Sequence, residues 1–359
     1  MTHHGKEVLV ALSGGLDSAA VVLFLREAGY RPRALFLDML DSEAAREEAA
    51  ATASALGTEL TVEPCSGLFR TEIIGYALDE HAKGRTPAPC SRCNPRIKWR
   101  LLAQAADRLG IYHIATGHYV GTVRHGGHTY FRRGADPAKD QSYYLWDVPE
   151  PLTERALLPL GSLTKAAVRN ILKERYGLTE LAERRESMGV CFLGGLSYGE
   201  FLRAHLPAES IRPGEVVDLS GNVIGRHEGY PLYTAGQKRG FSLDGKASGA
   251  GAVIGIDAAL NRVIVGPDEA LHCRDIILKD WRAVCPEEFF RHAGELRIMV
   301  RGIGRNPRGG SRLEAAEDGR LHVSLIQDTA WALIAGQPVV FYLGDRVVGG
   351  GILDEVLRH

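Results

Sequence analysis

Along the first 120 positions, short unbroken apolar runs alternate with longer segments in which apolar residues recur every three or four positions. The runs "EVLVAL", "RPRALFLDM", "TELTVEP" and "IYHIATGHY" predict buried strands. Between them, residues 17–28, "SEAAREEAAATASALG" (ending at Gly57) and "NPRIKWRLLAQAADRLG" keep a helical period. Such alternation predicts a parallel sheet covered on both faces, with ligands at the carboxyl ends of its strands. Helical texture continues through "SLTKAAVRNILKERYG" and ends near "YGEFLRAHLP". From Ile211 the pattern changes to short strands broken by Gly and Ser-Gly-Asn turns, as in "GEVVDLSGNVIGRHEGYPLYTAGQKRG". The remainder, through "PVVFYLGDRVVGGGILDEV", is almost wholly strand-like, as in a small sandwich or barrel. The expected fold is α/β: a parallel-sheet domain over residues 1–210, a small central domain over 211–270 and a C-terminal β-barrel over 271–359.

A chain of 359 residues is too long for one small core, which agrees with several domains. Hydrophobic residues make up 45% and charged residues 24%, ordinary for a soluble globular protein. The net charge of −1 provides no global field for nucleic acid, so any RNA contact must come from local basic patches. No apolar run approaches the ~18 residues that span a bilayer. The opening "MTHHGKE" lacks the layout of a signal peptide. Six cysteines in this length do not make a disulfide scaffold, and a reducing cytoplasm is the expected setting. Cys65, Cys273 and Cys285 stand alone and read as small buried hydrophobes.

Two stretches carry chemistry. The first is "ALSGGLDS", Ala11 to Ser18, between the first strand and the first helix. Gly14 and Gly15 allow backbone amides to approach a phosphate, Ser13 and Ser18 offer hydroxyls, and the helix directs its positive end at the anion. The string is neither a Walker loop, which ends Gly-Lys-Ser/Thr, nor a dinucleotide fingerprint, which needs a third glycine. Asp17 is out of place beside phosphates unless it meets a magnesium ion or caps the helix. The second stretch is "GRTPAPCSRCNPRIKW", residues 84–99. Cys90 and Cys93 precede a basic helix expected to begin near Asn94 or Pro95, where Arg92, Arg96 and Lys98 favour thiolate. A zinc site needs two more ligands at close spacing, and the obvious pair is missing. Cys191 lies in a Gly-rich segment, "ESMGVCFLGG".

The "SGGLDS" string resembles the PP-loop of the ATP pyrophosphatases, with their adenine nucleotide alpha hydrolase-like fold. That resemblance implies ATP cleavage between the α and β phosphates. "TPAPCSRCNPRIKW" is similar to the "TPNPCxxCNxxIKF" signature of the tRNA-uridine 2-sulfurtransferases, the tRNA-specific 2-thiouridylase family. Further matches follow in order: "IATGHY", "KDQSYYL", "PLGSLTKAAVR", "GVCF", "GYPLYTAGQKRGF" and "GGGIL". They span nearly the whole chain.

The resemblance implies that ATP, with Mg2+, adenylates O2 of the wobble uridine in the anticodon stem-loop of selected tRNAs. Sulfur from a persulfide relay protein or a cysteine desulfurase is then carried as a persulfide on Cys191. Its terminal sulfur attacks C2, or Cys93 releases it as hydrosulfide, and either route leaves a Cys93–Cys191 disulfide. Only a thiolate both holds sulfane sulfur and performs this exchange. Some family members have an aspartate at Cys90, assigned as a general base, and a thiol does not inherit that role. A second route stays open: Cys90, Cys93 and Cys191 as ligands of a 4Fe–4S cluster whose unique iron binds hydrosulfide.

By the same resemblance, Ala11–Ser18, Leu37 and Gly117 contact the nucleotide, Leu37 replacing the usual methionine. Ala88, Pro89, His118, Lys139, Asp140, Gln141, Arg301, Gly302 and Gln337 match tRNA-contacting positions. Asparagine is usual at Ala88, so one polar base contact is missing or replaced. "VRGIGRNPRGGSR", with Arg301, Arg305, Arg308 and Arg312, is a basic Gly/Pro-rich loop suited to phosphates. The segment "LFLDMLDSEAAREE" is shorter than in most of the family. The resemblance also implies a monomer. An ATP pyrophosphatase acting on a small carbonyl leaves the three cysteines unexplained. A non-catalytic RNA-binding paralogue predicts decay of "SGGLDS", which is intact.

Overall fold

A computed structural model describes residues 5–184, 189–244, 251–300 and 306–358. It divides into two compact units. One comprises residues 1–73, 90–188 and 345–348; the other comprises 74–89, 189–344 and 349–359.

The first unit is built on a parallel five-stranded sheet of order β3-β2-β1-β4-β7. These strands are β1 (Glu7–Ala11), β2 (Arg31–Asp38), β3 (Leu60–Pro64), β4 (His113–Ala115) and β7 (Ala156–Leu157). Val8, Leu9 and Val10 of the central strand are fully buried, as expected for a strand covered on both faces. Helix α1 (Leu16–Glu27) follows β1 and buries Ala19, Ala20, Val21 and Val22, too many for one amphipathic stripe. Helix α2 (Glu43–Ala55) starts where Ser42 accepts the amide of Ala45 at 3.3 Å. The helix Lys165–Glu174 starts in the same way at Thr164, which accepts from Ala167 at 3.2 Å. A hairpin, β5 (Val120–His125) and β6 (His128–Arg133), closes on a two-residue Gly126–Gly127 turn. Its signal was the Gly-Gly pair between two alternating stretches.

The second unit is largely β. Gly214–Val217, Val223–His227, Phe241–Leu243, Ala252–Asp257 and Arg262–Gly266 form one sheet over Val216, Val253, Val263, Val265, Tyr230 and Tyr233. In the C-terminal barrel, Asp275–Ala283 pairs antiparallel with Leu321–Leu325 and with the stretch 349–357. Arg297–Met299 pairs with Pro338–Leu343, whose Val339 to Tyr342 are fully buried. The segment leading to Pro89 belongs to this unit. Thr86 donates its amide to Ala335 at 2.8 Å, and Arg85 pairs with Asp354 at 3.0 Å. Helix Tyr198–His205 opens with a capping box between Ser197 and Glu200. Among the described residues, no helix is long and apolar enough to cross a membrane.

Candidate active site

The chain leaves β1 at Ala11, and Leu12 donates its amide to Leu35 at 2.9 Å. It then turns sharply through Ser13, Gly14 and Gly15 into α1. Gly14 has φ +85°, and a Cβ there would lie 2.9 Å from Glu48 Cγ and 3.1 Å from the Glu48 backbone. Only glycine fits this turn without displacing α2. Thr52 Oγ1 donates to the Gly14 carbonyl at 3.1 Å. Ser18 Oγ donates to the Gly15 carbonyl at 2.9 Å and accepts the Ser13 amide at 3.2 Å. Buried Ser18 therefore braces the loop from within, while Ser13 is exposed.

Gly15 is the N-cap of α1, and no side chain caps the helix. The first amides of α1 thus keep their positive end for an anion from outside. Of the two roles open to Asp17, a magnesium contact or a helix cap, the cap is not made, because its carboxylate is turned elsewhere. Lys165 Nζ donates to both Asp17 oxygens, at 2.8 and 2.7 Å, and the Tyr119 hydroxyl donates to one at 2.7 Å. Lys165 lies in "PLGSLTK" and Tyr119 in "ATGHY", both matched above but given no role of their own. Gly117 lies against this corner, where a Cβ would come 3.1 Å from Asp17 Cβ and 3.2 Å from its backbone.

Leu37 is buried near the carboxyl end of β2. Beside it, buried Asp38 takes Arg46 Nη1 at 2.6 Å, and the same guanidinium reaches Asp41 at 3.0 Å. The short segment after β2 is thus tied down by charge pairs within this unit. Burial, with the carboxylates of Asp38 and Glu63, pushes the Cys65 thiol up to about 11. Burial does the same to Cys273, also to about 11. Both are inert thiols at neutral pH.

Cys90 and Cys93 lie within a helical run that starts at Pro89, not before one that starts at Asn94. Proline suits a first helical turn. Pro95 has no N–H to continue the α register, and Asn94–Lys98 takes the wider π form, which often marks functional sites. The Asn94 side chain donates to the Cys90 carbonyl at 3.1 Å and the Tyr144 carbonyl at 3.2 Å. Burial, then the charge of Cys90, raises the Tyr144 phenol above its ordinary pKa. Tyr144 was part of "DQSYYL" and carried no assignment. Arg92 is engaged by Glu72, through the carbonyl at 2.9 Å and the carboxylate at 3.2 Å, so its charge is already balanced. Arg96 is exposed and Lys98 half-buried.

Cys191 belongs to the second unit and is exposed. It begins a short 3-10 turn, Cys191–Leu193, whose Phe192 packs on Phe201 with ring centroids 5.0 Å apart. The thiol therefore stands beside an apolar anchor.

Of the tRNA-matched positions, His118 is buried, shares a 2.7 Å hydrogen bond with Thr116 and stacks on Trp99. Burial, then nearby Lys98, lowers its pKa to about 3. Asp140 accepts from the amides of Gly134 and Ser142, both at 3.1 Å, and from the Ser142 hydroxyl at 2.9 Å. Gln141 Oε1 accepts the Tyr119 amide at 3.0 Å, so this segment fixes the strand end that presents Tyr119 to Asp17. Lys139 is half-buried in the same unit. Ala88 and Gln337, both half-buried, and buried Pro89 lie in the second unit. Arg301, Gly302 and Arg305 fall outside the described residues, while Arg308 and Arg312 are exposed.

Among the described residues, no group of three or more His, Cys, Asp or Glu side chains is gathered that could hold a metal ion.

Three family models match the chain in series. They are a tRNA methyl transferase HUP domain over residues 6–195, a tRNA methyl transferase PRC-barrel domain over 199–267, and an aminomethyltransferase beta-barrel domain over 273–353. The tRNA-specific 2-thiouridylase MnmA 2 of Phocaeicola vulgatus is 38% identical over 98% of this chain and 99% of its own length. The tRNA-specific 2-thiouridylase MnmA of Chlorobium chlorochromatii is 36% identical over 98% of each chain. Among solved structures, an NH3-dependent NAD synthetase from Campylobacter jejuni matches 50% of this chain and 69% of its own, with 17% identity and a TM-score of 0.31. That likeness is too distant to bear on function.

Proposed function

The chain belongs to the tRNA-specific 2-thiouridylase family, and from that membership we propose that it replaces O2 of the wobble uridine in selected tRNAs with sulfur, at the expense of ATP. The observation that carries this reading is the cradle at Gly14 and Gly15, where the first amides of α1 have no side-chain cap. ATP phosphates supply the missing acceptors. Uridine O2 attacks the α-phosphorus, the bond to the β-phosphate breaks, and pyrophosphate leaves. The adenylate makes C2 electrophilic and turns O2 into a leaving group.

The second half of the reaction needs a sulfur nucleophile. Cys191 is exposed, as a residue loaded by another protein must be. A persulfide on its Sγ attacks C2, expels AMP and leaves a C2–S–S–Cys191 linkage. The Cys93 thiolate then attacks Cys191 Sγ, freeing 2-thiouridine and forming a Cys93–Cys191 disulfide. An external dithiol reopens it by taking up the two-electron oxidation. No step passes through a cluster. Magnesium enters as the companion of ATP. Ala88, Pro89, His118, Lys139, Asp140, Gln141, Arg301, Gly302 and Gln337 are proposed to meet the tRNA. A cytoplasmic monomer supplied by a persulfide donor protein completes the reading.

The test incubates the protein with ATP, a persulfide donor and unmodified tRNA, and resolves the product in a mercury-containing gel. A retarded, ATP-dependent band is expected. Its absence, with intact tRNA and a loaded donor, defeats the proposal. Iron and acid-labile sulfide analysis of anaerobically purified protein accompanies it. An active, iron-free protein is expected, and activity that rises with iron content would replace the persulfide route with the cluster.

A further inference from the structure

We propose that Lys165 is a built-in counter-cation of the phosphate loop: by neutralising Asp17 it makes a cradle that contains a carboxylate able to accept the phosphates of ATP. This rests on the reading that ATP occupies that cradle. Asp17 sits in the first turn of α1, two residues beyond Gly15, where its charge opposes phosphate oxygens. The answer visible in the structure is a lysine from a distant helix. Lys165 is at the first position of Lys165–Glu174, and its side chain is only 9% exposed, against 34% for Asp17.

Neighbouring residues hold this pair in place. Thr164 caps the lysine's helix, and the Lys165 amide donates to Asp136 at 2.9 Å. The Tyr119 hydroxyl takes the flank of Asp17, and Gln141 fixes the Tyr119 backbone. The lysine also lies 5.6 Å from the centre of the Tyr119 ring. A buried ammonium is stable only when paired, and here its partner is a group whose charge would repel the ligand. Lys165 is therefore a positioning residue acting through Asp17. An ordinary structural ion pair tying the helix Lys165–Glu174 to α1 predicts lost stability on substitution and unchanged ATP affinity.

The experiment uses the full-length protein. Folding is checked by thermal melting, and the ATP dissociation constant is measured by titration calorimetry in EDTA and again with magnesium. Lys165→Met is expected to weaken ATP binding in EDTA by about tenfold or more, and Lys165→Arg by no more than about threefold. Asp17→Asn is expected to bind ATP about threefold tighter than wild type in EDTA, because the lysine then faces the phosphates alone. The double variant is expected to recover about fivefold of the affinity lost in Lys165→Met. A folded Lys165→Met with wild-type affinity overturns the proposal. So does an Asp17→Asn that binds ATP in EDTA no better than wild type. If either single variant does not fold, the double variant decides, because it leaves neither charge of the pair without its partner: affinity within about twofold of wild type in EDTA is expected, and a loss of about tenfold or more overturns the proposal. Absence of ATP binding by the wild type would instead defeat the proposed function.

Discussion

His118 is buried, and its pKa falls from 6.5 to about 3, chiefly through burial and further through Lys98. On unfolding, the ring regains its ordinary pKa. Between these two values the unfolded chain binds the extra proton, so stability is complete above pH 6.5 and is lost as pH falls. The loss approaches about 1.4 kcal/mol per pH unit within that window. His81, lowered to about 4 by burial, adds in the same direction. The urea midpoint is therefore expected to drop between pH 7 and pH 5, and His118→Phe should lessen the drop. An identical pH slope in that variant would show that this ring is not linked to folding.

The cysteines separate at the same scale. Cys191 is exposed, whereas Cys65 and Cys273 are buried with thiols near 11. Brief alkylation of the native protein, read by peptide mass spectrometry, should label Cys191 first and leave those two unlabelled until the chain unfolds. Cys191→Ser should abolish tRNA thiolation while tRNA-dependent AMP formation stays within about twofold of wild type, because an interaction made in only one step affects only that step. Retained thiolation would remove Cys191 from the sulfur route.

Among the elements, the start of α1 is held closely by its neighbours. Gly117→Ala would place a methyl 3.1 Å from Asp17 Cβ, against backbone that cannot yield cheaply. A cost of about 1–3 kcal/mol in stability is expected, with weaker ATP binding. An equilibrium unfolding curve and a nucleotide titration report the two effects separately. Thr52→Val removes the hydroxyl donated to the Gly14 carbonyl and should cost about 1–2 kcal/mol by the first measure.

These same elements show what the sequence carried. The strand–helix alternation and the Gly14–Gly15 turn were legible because periodicity and glycine pairs are local. The ion pair of Asp17 with Lys165 joins residues 148 positions apart, and neither period nor spacing reports it. The π segment at Asn94–Lys98 escaped for another reason. Pro95 looks like a helix start, yet Pro89 provides an earlier one, and the later proline only widens the register.

For the whole molecule, a net charge of −1 means that tRNA affinity must come from local clusters. Exposed Arg308 and Arg312 belong to one such stretch. Affinity for tRNA should fall as salt rises, with a negative slope of log K on log salt in filter binding. Replacing both arginines by glutamate should make that slope shallower while leaving the ATP dissociation constant unchanged. A salt-independent affinity contradicts phosphate contacts.

The division into units has a consequence for synthesis. The nucleotide unit holds residues 1–73 and 90–188, but also 345–348, so its last piece is made only after residues 189–344 of the other unit. Domains commonly fold as they leave the ribosome, N-terminal first. Here the first unit waits for the second to emerge before its own chain is complete. A ribosome stalled before codon 345 would hold a cradle with every loop residue present and its fold unfinished.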